Sequence, residues 1–212
     1  MVVPAESSGQ TGGEHVFVQV VRGVVRDPEE TFARLDLWLQ RLGPVTSGWL
    51  GTTAGVTADR ELVSFVRFAS AADARRSSDR VEQGQWWAES AHVFAGDVTF
   101  DNYDEITLFG DGGSETAALV DVLIGRVPRR KDLPQLAEQG KPLGPGVIGG
   151  LVGLHDDGHL TQATYFCHAP KGLGDSAAWL GSTCLSELRL LRLEHLWFGS
   201  PAGAVRRGPT VV

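Results

Sequence analysis

The sequence predicts an α+β protein in which two tandem βαββαβ units pack their antiparallel sheets together. The main observation is a repeat: a shift of 98 residues carries the segment 47–68 onto the segment 145–166. Three glycines, an aspartate, a leucine and a phenylalanine coincide at that one shift. The second observation is that the same order of strand and helix patterns occurs before and after residues 111–116. Together these observations indicate an internal duplication.

The first unit is expected over residues 16–110. The segment 16–25 is rich in β-branched residues and predicts a strand. Asp27 is expected to cap the following helix, with Pro28 in its first turn and Glu30 completing a capping box. Apolar residues at helical spacing continue until a Gly-Pro pair ends this helix.

A hairpin, a second helix and a last strand complete this unit. The segments 49–56 and 61–68 predict two strands joined by a four-residue turn. A helical region is expected over residues 71–95, interrupted near Gly84, and a strand over residues 105–110. The order βαββαβ is that of the ferredoxin-like split unit.

The second unit is expected over residues 117–200, after a glycine-rich linker at 111–116. The order of elements restarts with a strand and a hairpin. Its two helices, expected at 132–140 and 175–188, are shorter than those of the first unit. A final strand is expected at 193–199.

Composition limits the class of protein. With 212 residues, 42% hydrophobic and 21% charged, the chain has the profile of a globular protein of one large or two small domains. Its formal charge of −7 argues against an unassisted nucleic-acid surface, and no apolar run has the length of a membrane span. Arginine outnumbers lysine sixteen to three, a bias that suggests a high-GC bacterial genome.

The termini and the cysteines bear on location. Residues 1–15 lack the basic-then-apolar order of a signal peptide and are expected to form a disordered tail. Residues 201–212 are expected to form a second tail. Cys167 and Cys184 fit no CxxC motif, so we expect buried free thiols in a reducing compartment. These features predict a cytoplasmic protein.

The two predicted sheets have a physical reason to pair. A four-stranded antiparallel sheet with helices on one face leaves its other face and its edges open. Two such sheets packed together bury those faces and can close into a barrel. Gly51 and Gly55 recur in the second unit within predicted strands, which indicates bulges or close backbone approach.

This pattern resembles the dimeric α+β barrel superfamily, and within it the antibiotic biosynthesis monooxygenase-like proteins. The resemblance rests on the βαββαβ order, the strands "VQVVRGVV" and "FVRFAS", and the helix with "QWWAESAH". It spans nearly the whole chain as two copies, and implies an intramolecular version of the barrel. Members include cofactor-independent oxygenases of phenolic polyketides, haem-degrading oxygenases and chlorite-dismutase-like proteins. Their ligand usually lies between the sheet and the helices of one unit.

The resemblance implies candidate residues in the first unit. Haem-degrading relatives carry an asparagine on the first strand, and a tryptophan and a histidine in or near the second helix. The matching positions are Gln19, Trp86 or Trp87, and His92, with glutamine replacing asparagine. In cofactor-independent relatives the substrate is phenolate-like, and Arg67 could stabilise such an anion while Trp87 stacks on its ring. Arg67 and His92 are therefore the candidate catalytic residues.

Each of these residues also has a purely structural interpretation. Trp86 and Trp87 fit a hydrophobic core, His92 fits a packed or capping residue, and Arg67 fits the surface of a strand. Both interpretations stay open at the level of sequence.

Two positions of the second unit are candidate ligand-binding residues. Asp121 corresponds to Gln19 of the first unit, and Tyr165 corresponds to Arg67. A polar residue inside an apolar strand points either into a pocket or to a wet edge, because an unpaired buried polar group costs about 1–3 kcal/mol. Since Arg67 and Tyr165 differ in chemistry, the two units are not expected to bind the same ligand.

The remaining histidines give weaker signals. His155 and His159 flank "DDG", which is a strong turn sequence, so this segment predicts a turn and no metal site. His168 and His195 are alternative haem ligands for the second unit.

The sequence thus predicts an antibiotic biosynthesis monooxygenase-like protein that binds a small hydrophobic or aromatic ligand. The activity expected is that of a cofactor-independent monooxygenase acting on an aromatic or polyketide-like compound, with the pocket in the first unit. A non-catalytic barrel protein and a haem-binding protein are the alternatives, so no cofactor is expected unless haem binds. No nucleic-acid or membrane partner is expected, and homo-oligomers could form through sheet edges or barrel faces.

Overall fold

The computed structural model describes residues 16–127, 144–168 and 186–207, which form eleven strands and three α-helices. The strands are β1 (Phe17–Val24), β2 (Trp49–Val56), β3 (Glu61–Phe68), β4 (Thr99–Tyr103), β5 (Ile106–Gly110), β6 (Leu119–Arg126), β7 (Val147–Leu154), β8 (His159–Phe166), β9 (Ser186–Leu193), β10 (His195–Ser200) and β11 (Gly203–Arg207). The helices are α1 (Pro28–Arg41), α2 (Ala71–Ser78) and α3 (Val81–Ser90), with 3-10 turns at Gly43–Val45 and Ala91–Val93.

The strands form two antiparallel sheets with the same internal order. The first sheet has the order β11-β10-β2-β3-β1-β4, and the second has the order β5-β7-β8-β6-β9. Apart from β11, each sheet contains four strands of one half of the chain and one strand of the other half. The predicted α+β architecture of two packed antiparallel sheets is confirmed.

The exchange of β5 and β10 between the sheets differs from the sequence expectation. Residues 105–110 are expected to end the first unit, but β5 pairs with β7 of the second sheet, and β4 takes the place beside β1. In the same way β10 pairs with β2 of the first sheet. Each exchanged strand covers an edge that its host sheet would otherwise expose, and a local sequence pattern does not say which edge a strand joins.

The strand register follows the sequence repeat. Arg67 lies opposite Val18 in the first sheet, and Tyr165 lies opposite Val120 in the second. Both hairpins have a bulge near the start of their first strand, as the recurring glycines predict. Gly51, at the first bulge, has a φ of 141°, a conformation that favours glycine.

The main core lies between the inner faces of the two sheets. Phe65 and Phe198 of the first sheet are buried against residues of the second such as Leu151. The hydroxyl groups of Tyr103 and Thr161 form a hydrogen bond of 2.8 Å across this core. Burial of apolar surface, at about 25 cal/mol per Å², is the term that holds the sheets together.

The helices cover the outer face of the first sheet. Asp27 caps α1 by accepting a hydrogen bond of 2.8 Å from the Glu29 N–H, and Pro28 stands in the first turn as predicted. The predicted capping box is not formed, because the Glu30 carboxylate pairs with His92 instead.

The second helical region is interrupted earlier than predicted. Helix α2 ends at Ser78 and α3 begins at Val81, whereas Gly84 lies inside α3. Glycine in a helix interior costs about 1 kcal/mol, which a packed helix tolerates. The interruption instead follows Asp79, the C-cap of α2.

The second half of the chain contains two strands that the sequence does not predict. Residues 186–188, expected at the end of a helix, belong to β9, which pairs with β6. Residues 203–207, expected in a tail, form β11, which pairs with β10. In both cases the edge of a neighbouring strand supplies hydrogen bonds that a single-segment pattern does not reveal. The predicted helix at 132–140 and the rest of that at 175–185 lie outside the described residues, as does the tail at 1–15.

Cys167 is an exposed free thiol, whereas the sequence analysis expects a buried one. It follows directly after β8, where the chain leaves the sheet. Cys184 lies outside the described residues. Among the helices that the structure describes, none combines the length and the apolar character needed to cross a membrane.

Candidate functional site

A cavity of about 370 Å³ lies between the first sheet and the three helices. Small-molecule pockets typically have volumes of roughly 300–1,000 Å³. Much of the cavity wall is aromatic, formed by Trp38, Trp86, Trp87, Trp197, Phe68, Phe94 and Phe100. Trp197 belongs to the exchanged strand β10, so the second unit completes a cavity of the first.

Three of the four tryptophans are held in place by their indole N–H groups. Trp38 donates to Gln83 Oε1 at 2.8 Å, and Trp86 donates to the Arg34 carbonyl at 3.2 Å. Trp197 donates to Asp36 Oδ1 at 2.7 Å. The fixed rings therefore present carbon surface to the cavity rather than unpaired donors.

Trp87 is the half-buried tryptophan of the wall, and its indole N–H forms no hydrogen bond with the described residues. Its ring makes edge contacts with Trp86 and Phe100, with centroids 5.1 and 5.2 Å apart. Phe94 stacks against it at 6.2 Å. Phe100 is 46% exposed, so this aromatic group lies toward the solvent side of the cavity.

A few neutral polar groups interrupt the aromatic wall. Gln19 on β1 donates from Nε2 to Asn102 Oδ1 at 2.9 Å, which leaves its own carbonyl oxygen able to accept. Ser64 on β3 is buried, and its hydroxyl has no hydrogen-bond partner among the described residues. Thr52 accepts from Trp49 Nε1 at 3.0 Å. Gln19 and Ser64 thus retain hydrogen-bonding capacity for a ligand.

Arg34 on α1 is the one charged side chain among the described residues of the wall. Its Nε donates to Ser90 Oγ at 3.0 Å, and its Nη2 lies 3.3 Å from Glu89 Oε2. The Arg34 side chain is 19% exposed and that of Glu89 56%, so solvent screens this ion pair. Arg34 therefore brings a fixed guanidinium to the cavity.

Arg34 is not among the site residues predicted from the sequence. A signal was available, because Thr31, Arg34, Leu35 and Trp38 lie on one face of α1 at helical spacing. A charged residue on an amphipathic helix is more often solvated, so the spacing alone does not identify a cavity residue.

The structure brings three predicted residues to this cavity: Gln19, Trp86 and Trp87. It does not bring Arg67 there. Successive side chains of a strand alternate between faces, and Val66 and Phe68 of β3 face the cavity. Arg67, between them, therefore points to the opposite face, toward the second sheet.

His92 lies outside the cavity as well. Its Nε2 is 2.9 Å from Glu30 Oε1, and its side chain is 56% exposed. The 3-10 turn Ala91–Val93 directs Val93 into the core and leaves the histidine on the surface. His92 is therefore a surface residue paired with Glu30 and not a residue of the cavity wall.

The candidates of the second unit have partners of their own. Asp121 is 1% exposed and forms a bidentate ion pair with Arg192, with both N–O distances 2.9 Å. Tyr165 is fully buried between the sheets, and its hydroxyl donates to Thr53 Oγ1 at 3.0 Å. Burial raises the pKa of Tyr165 above its usual 10.0, while the Arg67 guanidinium and the Thr53 hydrogen bond act in the opposite direction.

The donor groups of the cavity do not fit haem. Proteins hold haem iron through histidine, cysteine, methionine or tyrosine. None of these side chains is among the described residues of the wall. His168 is exposed at the end of β8, and His195 lies at the start of β10, so neither reaches the cavity.

The "HDDGH" segment forms the predicted turn between β7 and β8. Asp157 Oδ1 accepts a hydrogen bond of 3.0 Å from the His159 N–H, which lowers the pKa of Asp157. The His155 ring lies against the Tyr103 ring, with centroids 4.3 Å apart. The two histidines therefore have separate surroundings.

Comparison with known proteins identifies the fold. A proposed monooxygenase from Fusobacterium nucleatum superposes with a TM-score of 0.65 at 11% identity, covering 91% of this chain and 97% of its own. A proposed monooxygenase from Lactobacillus acidophilus superposes with a TM-score of 0.63 at 10% identity, and the alignment covers 91% of this chain and 99% of that one. The fold is the dimeric α+β barrel. An anthrone oxidase-like protein superposes with a TM-score of 0.60 at 12% identity, and the alignment covers 95% of this chain and 97% of that one. The similarity therefore extends over the whole intramolecular barrel.

Structural comparison finds similar proteins, whereas sequence comparison finds none. No protein-family model matches the sequence, and no curated protein matches it either. At 10–12% identity the three structures establish the fold, and the predicted resemblance to monooxygenase-like barrels is confirmed at that level.

Proposed function

We propose that the protein binds a small aromatic, polyketide-like compound in the first-unit cavity and oxygenates it as a cofactor-independent monooxygenase. The observation that carries this proposal is the composition of the wall, which combines aromatic rings with neutral polar groups and, among its described residues, one guanidinium. The likeness to proposed monooxygenases and to an anthrone oxidase-like protein supports the same class of reaction.

The wall offers distinct groups for the ring and for its oxygen substituents. Trp87 lines the cavity and offers aromatic surface against which a flat ring can pack. Arg34 supplies the positive charge that a phenolate or enolate oxygen requires, since a guanidinium stays protonated. The Ser64 hydroxyl and the Gln19 carbonyl can recognise a neutral polar substituent.

The proposed reaction needs no external reductant. In an anthrone-like substrate, a ring methylene carbon loses two hydrogens and gains one oxygen atom of O₂ as a carbonyl. The second oxygen atom leaves as water with those two hydrogens, so the substrate itself supplies the electrons. The electron-rich form that reacts is the ionised enolate, which a cation in a cavity of low dielectric constant stabilises. The protein's part is to bind this anion, orient it and exclude water.

An Arg34→Gln variant tests the proposal against an Arg41→Gln control. Arg41 lies on the same helix and also approaches Glu89, at 3.8 Å, but its side chain is 62% exposed. With anthrone as the probe substrate, oxygen uptake by R34Q should fall about 100-fold, the effect expected on losing one oxyanion-stabilising group. R41Q should retain wild-type uptake. Wild-type uptake by R34Q, with far-UV circular dichroism confirming its fold, would remove Arg34 from the mechanism.

A non-catalytic binding protein is the second candidate. It is favoured by the absence of aspartate, glutamate and histidine from the described residues of the wall, which leaves no general base there. Saturable quenching of tryptophan fluorescence by anthrone, without oxygen uptake above the buffer rate, would select this alternative.

A cytoplasmic location and self-association through sheet edges are further parts of the proposal. Among the described residues, the two sheets have four edge strands, and each exposes one large apolar side chain: Phe100, Leu108, Leu188 and Val205. Light scattering coupled to size-exclusion chromatography should then report a mass above 22.7 kDa, and a monomer would contradict the edge-association proposal.

A further inference from the structure

The aromatic cavity meets the solvent along a short stretch of its wall. Among the described residues of the wall, three are exposed: Ser78, Gly84 and Phe100. Ser78 is the last residue of α2 and precedes Gly84 by six residues, across the turn between α2 and α3. Gly84 lies one helical turn before Trp87, whose ring contacts Phe100 with centroids 5.2 Å apart. These exposed residues therefore mark the rim of the cavity.

Gly84 leaves this rim without a side chain at one point. A methyl group on Gly84 would meet no described heavy atom within 4 Å, whereas one on Gly55 would come within 2.7 Å of Leu193. Packing therefore does not require glycine at position 84, although glycine is unfavourable in the interior of a helix. The consequence of glycine here is an open gap in the wall, on the side of α3 that carries Trp87.

The opposite side of α3 is closed against α1. The Trp38 indole N–H donates to Gln83 at 2.8 Å, and the Trp86 indole N–H donates to the Arg34 carbonyl at 3.2 Å. These two hydrogen bonds join α1 and α3 along the cavity wall. A ligand therefore has its free path on the other side of α3, between Gly84 and the edge strand β4.

We propose that Gly84 forms the entrance of the aromatic cavity, and that the side chain at this position controls how fast a polycyclic aromatic ligand enters. The inference rests on the proposed function, since it concerns the same cavity and ligand. A ligand must pass Gly84 both when it enters and when it leaves, so a bulky residue there raises the barrier in both directions. The contacts of the bound ligand with Arg34 and Trp87 stay as they are, so its affinity should change little.

The test is a Gly84→Leu variant, with Ala88→Leu as the matched control. Ala88 is exposed on the same helix and is not among the described residues of the wall. Leucine is favourable in helices, so both variants should keep the fold. Anthrone is the probe, and stopped-flow quenching of tryptophan fluorescence measures its association and dissociation rate constants. Oxygen is excluded so that the ligand is not consumed.

We expect G84L to lower both rate constants about tenfold while Kd stays within about threefold of the wild-type value, because only the barrier changes. A88L should keep the wild-type rate constants. If circular dichroism shows that G84L does not fold, Gly84→Gln repeats the test with a polar side chain of similar length.

Wild-type rate constants in the folded variant, or a weaker affinity with an unchanged association rate constant, would overturn the proposed entrance alone. Absence of saturable quenching in the wild type would instead overturn the proposed function, and the entrance with it.

Discussion

Replacement of Trp197 by phenylalanine should destabilise the protein more than the same replacement at Trp87. Trp197 is 1% exposed on the exchanged strand β10, and its Nε1 donates to Asp36 of α1 at 2.7 Å. A hydrogen bond to a charged group contributes about 1.5–3 kcal/mol. Asp36 keeps its ion pair with Arg206, so the carboxylate is not left alone and the lower end of that range applies.

Loss of ring atoms adds about 0.8 kcal/mol for each buried CH₂-sized group. The expected loss in the free energy of unfolding is therefore about 2–3 kcal/mol. For a chain of this size that corresponds to a fall in Tm of roughly 4–12 °C. W87F should lose less than about 1 kcal/mol, because the Trp87 indole N–H has no hydrogen bond to the described residues. Urea unfolding followed by circular dichroism measures both values. A W197F loss no larger than that of W87F would refute the link between β10 and α1.

Two further predictions concern glycines and tyrosines. A methyl group at Gly150 would lie 2.0 Å from the Ala163 carbonyl oxygen, so Gly150→Ala should lower the free energy of unfolding by about 3 kcal/mol or more. A methyl group at Gly84 meets no atom within 4 Å, so Gly84→Ala should raise it by about 0.5–1 kcal/mol by stabilising α3. Urea unfolding measures both variants, and similar effects of the two substitutions would contradict the prediction. Burial raises the pKa of Tyr103 and Tyr165, the two tyrosines of the chain, so absorbance near 295 nm should detect little tyrosinate in the folded protein at pH 10. Above pH 10 the unfolded chain releases protons that the folded state retains, so the free energy of unfolding should fall as pH rises, and less steeply in Tyr165→Phe. Half-ionised tyrosine in the folded protein at pH 10 would contradict this expectation.

The architecture was predictable because it follows from patterns within the chain. Recurring glycines at one shift, strands rich in β-branched residues and an amphipathic α1 together require two similar sheets with covered faces. The exchange of β5 and β10 was not predictable in this way, because a strand's own sequence does not determine which sheet edge it joins. The same reason explains why β9 and β11 were missed.

The candidate site was predictable in part. The sequence predicts Gln19 as a polar residue in an apolar strand, and the resemblance to known barrels predicts Trp86 and Trp87; all three line the cavity. Arg67 was misplaced because β3 is apolar on both faces, one toward the helices and one toward the second sheet. The alternation that normally marks a buried face therefore gives no signal there. Arg34 was missed because a charged helix residue is usually solvated.

The most direct test of the proposed site is a crystal structure of the protein with anthrone bound. We expect density for a flat ring system between the first sheet and α1–α3, against Trp87, with its oxygen directed toward Arg34. Ligand density confined to the outer face of the second sheet or to the space between the sheets, with the aromatic cavity empty, would contradict binding in the cavity and so the proposed function.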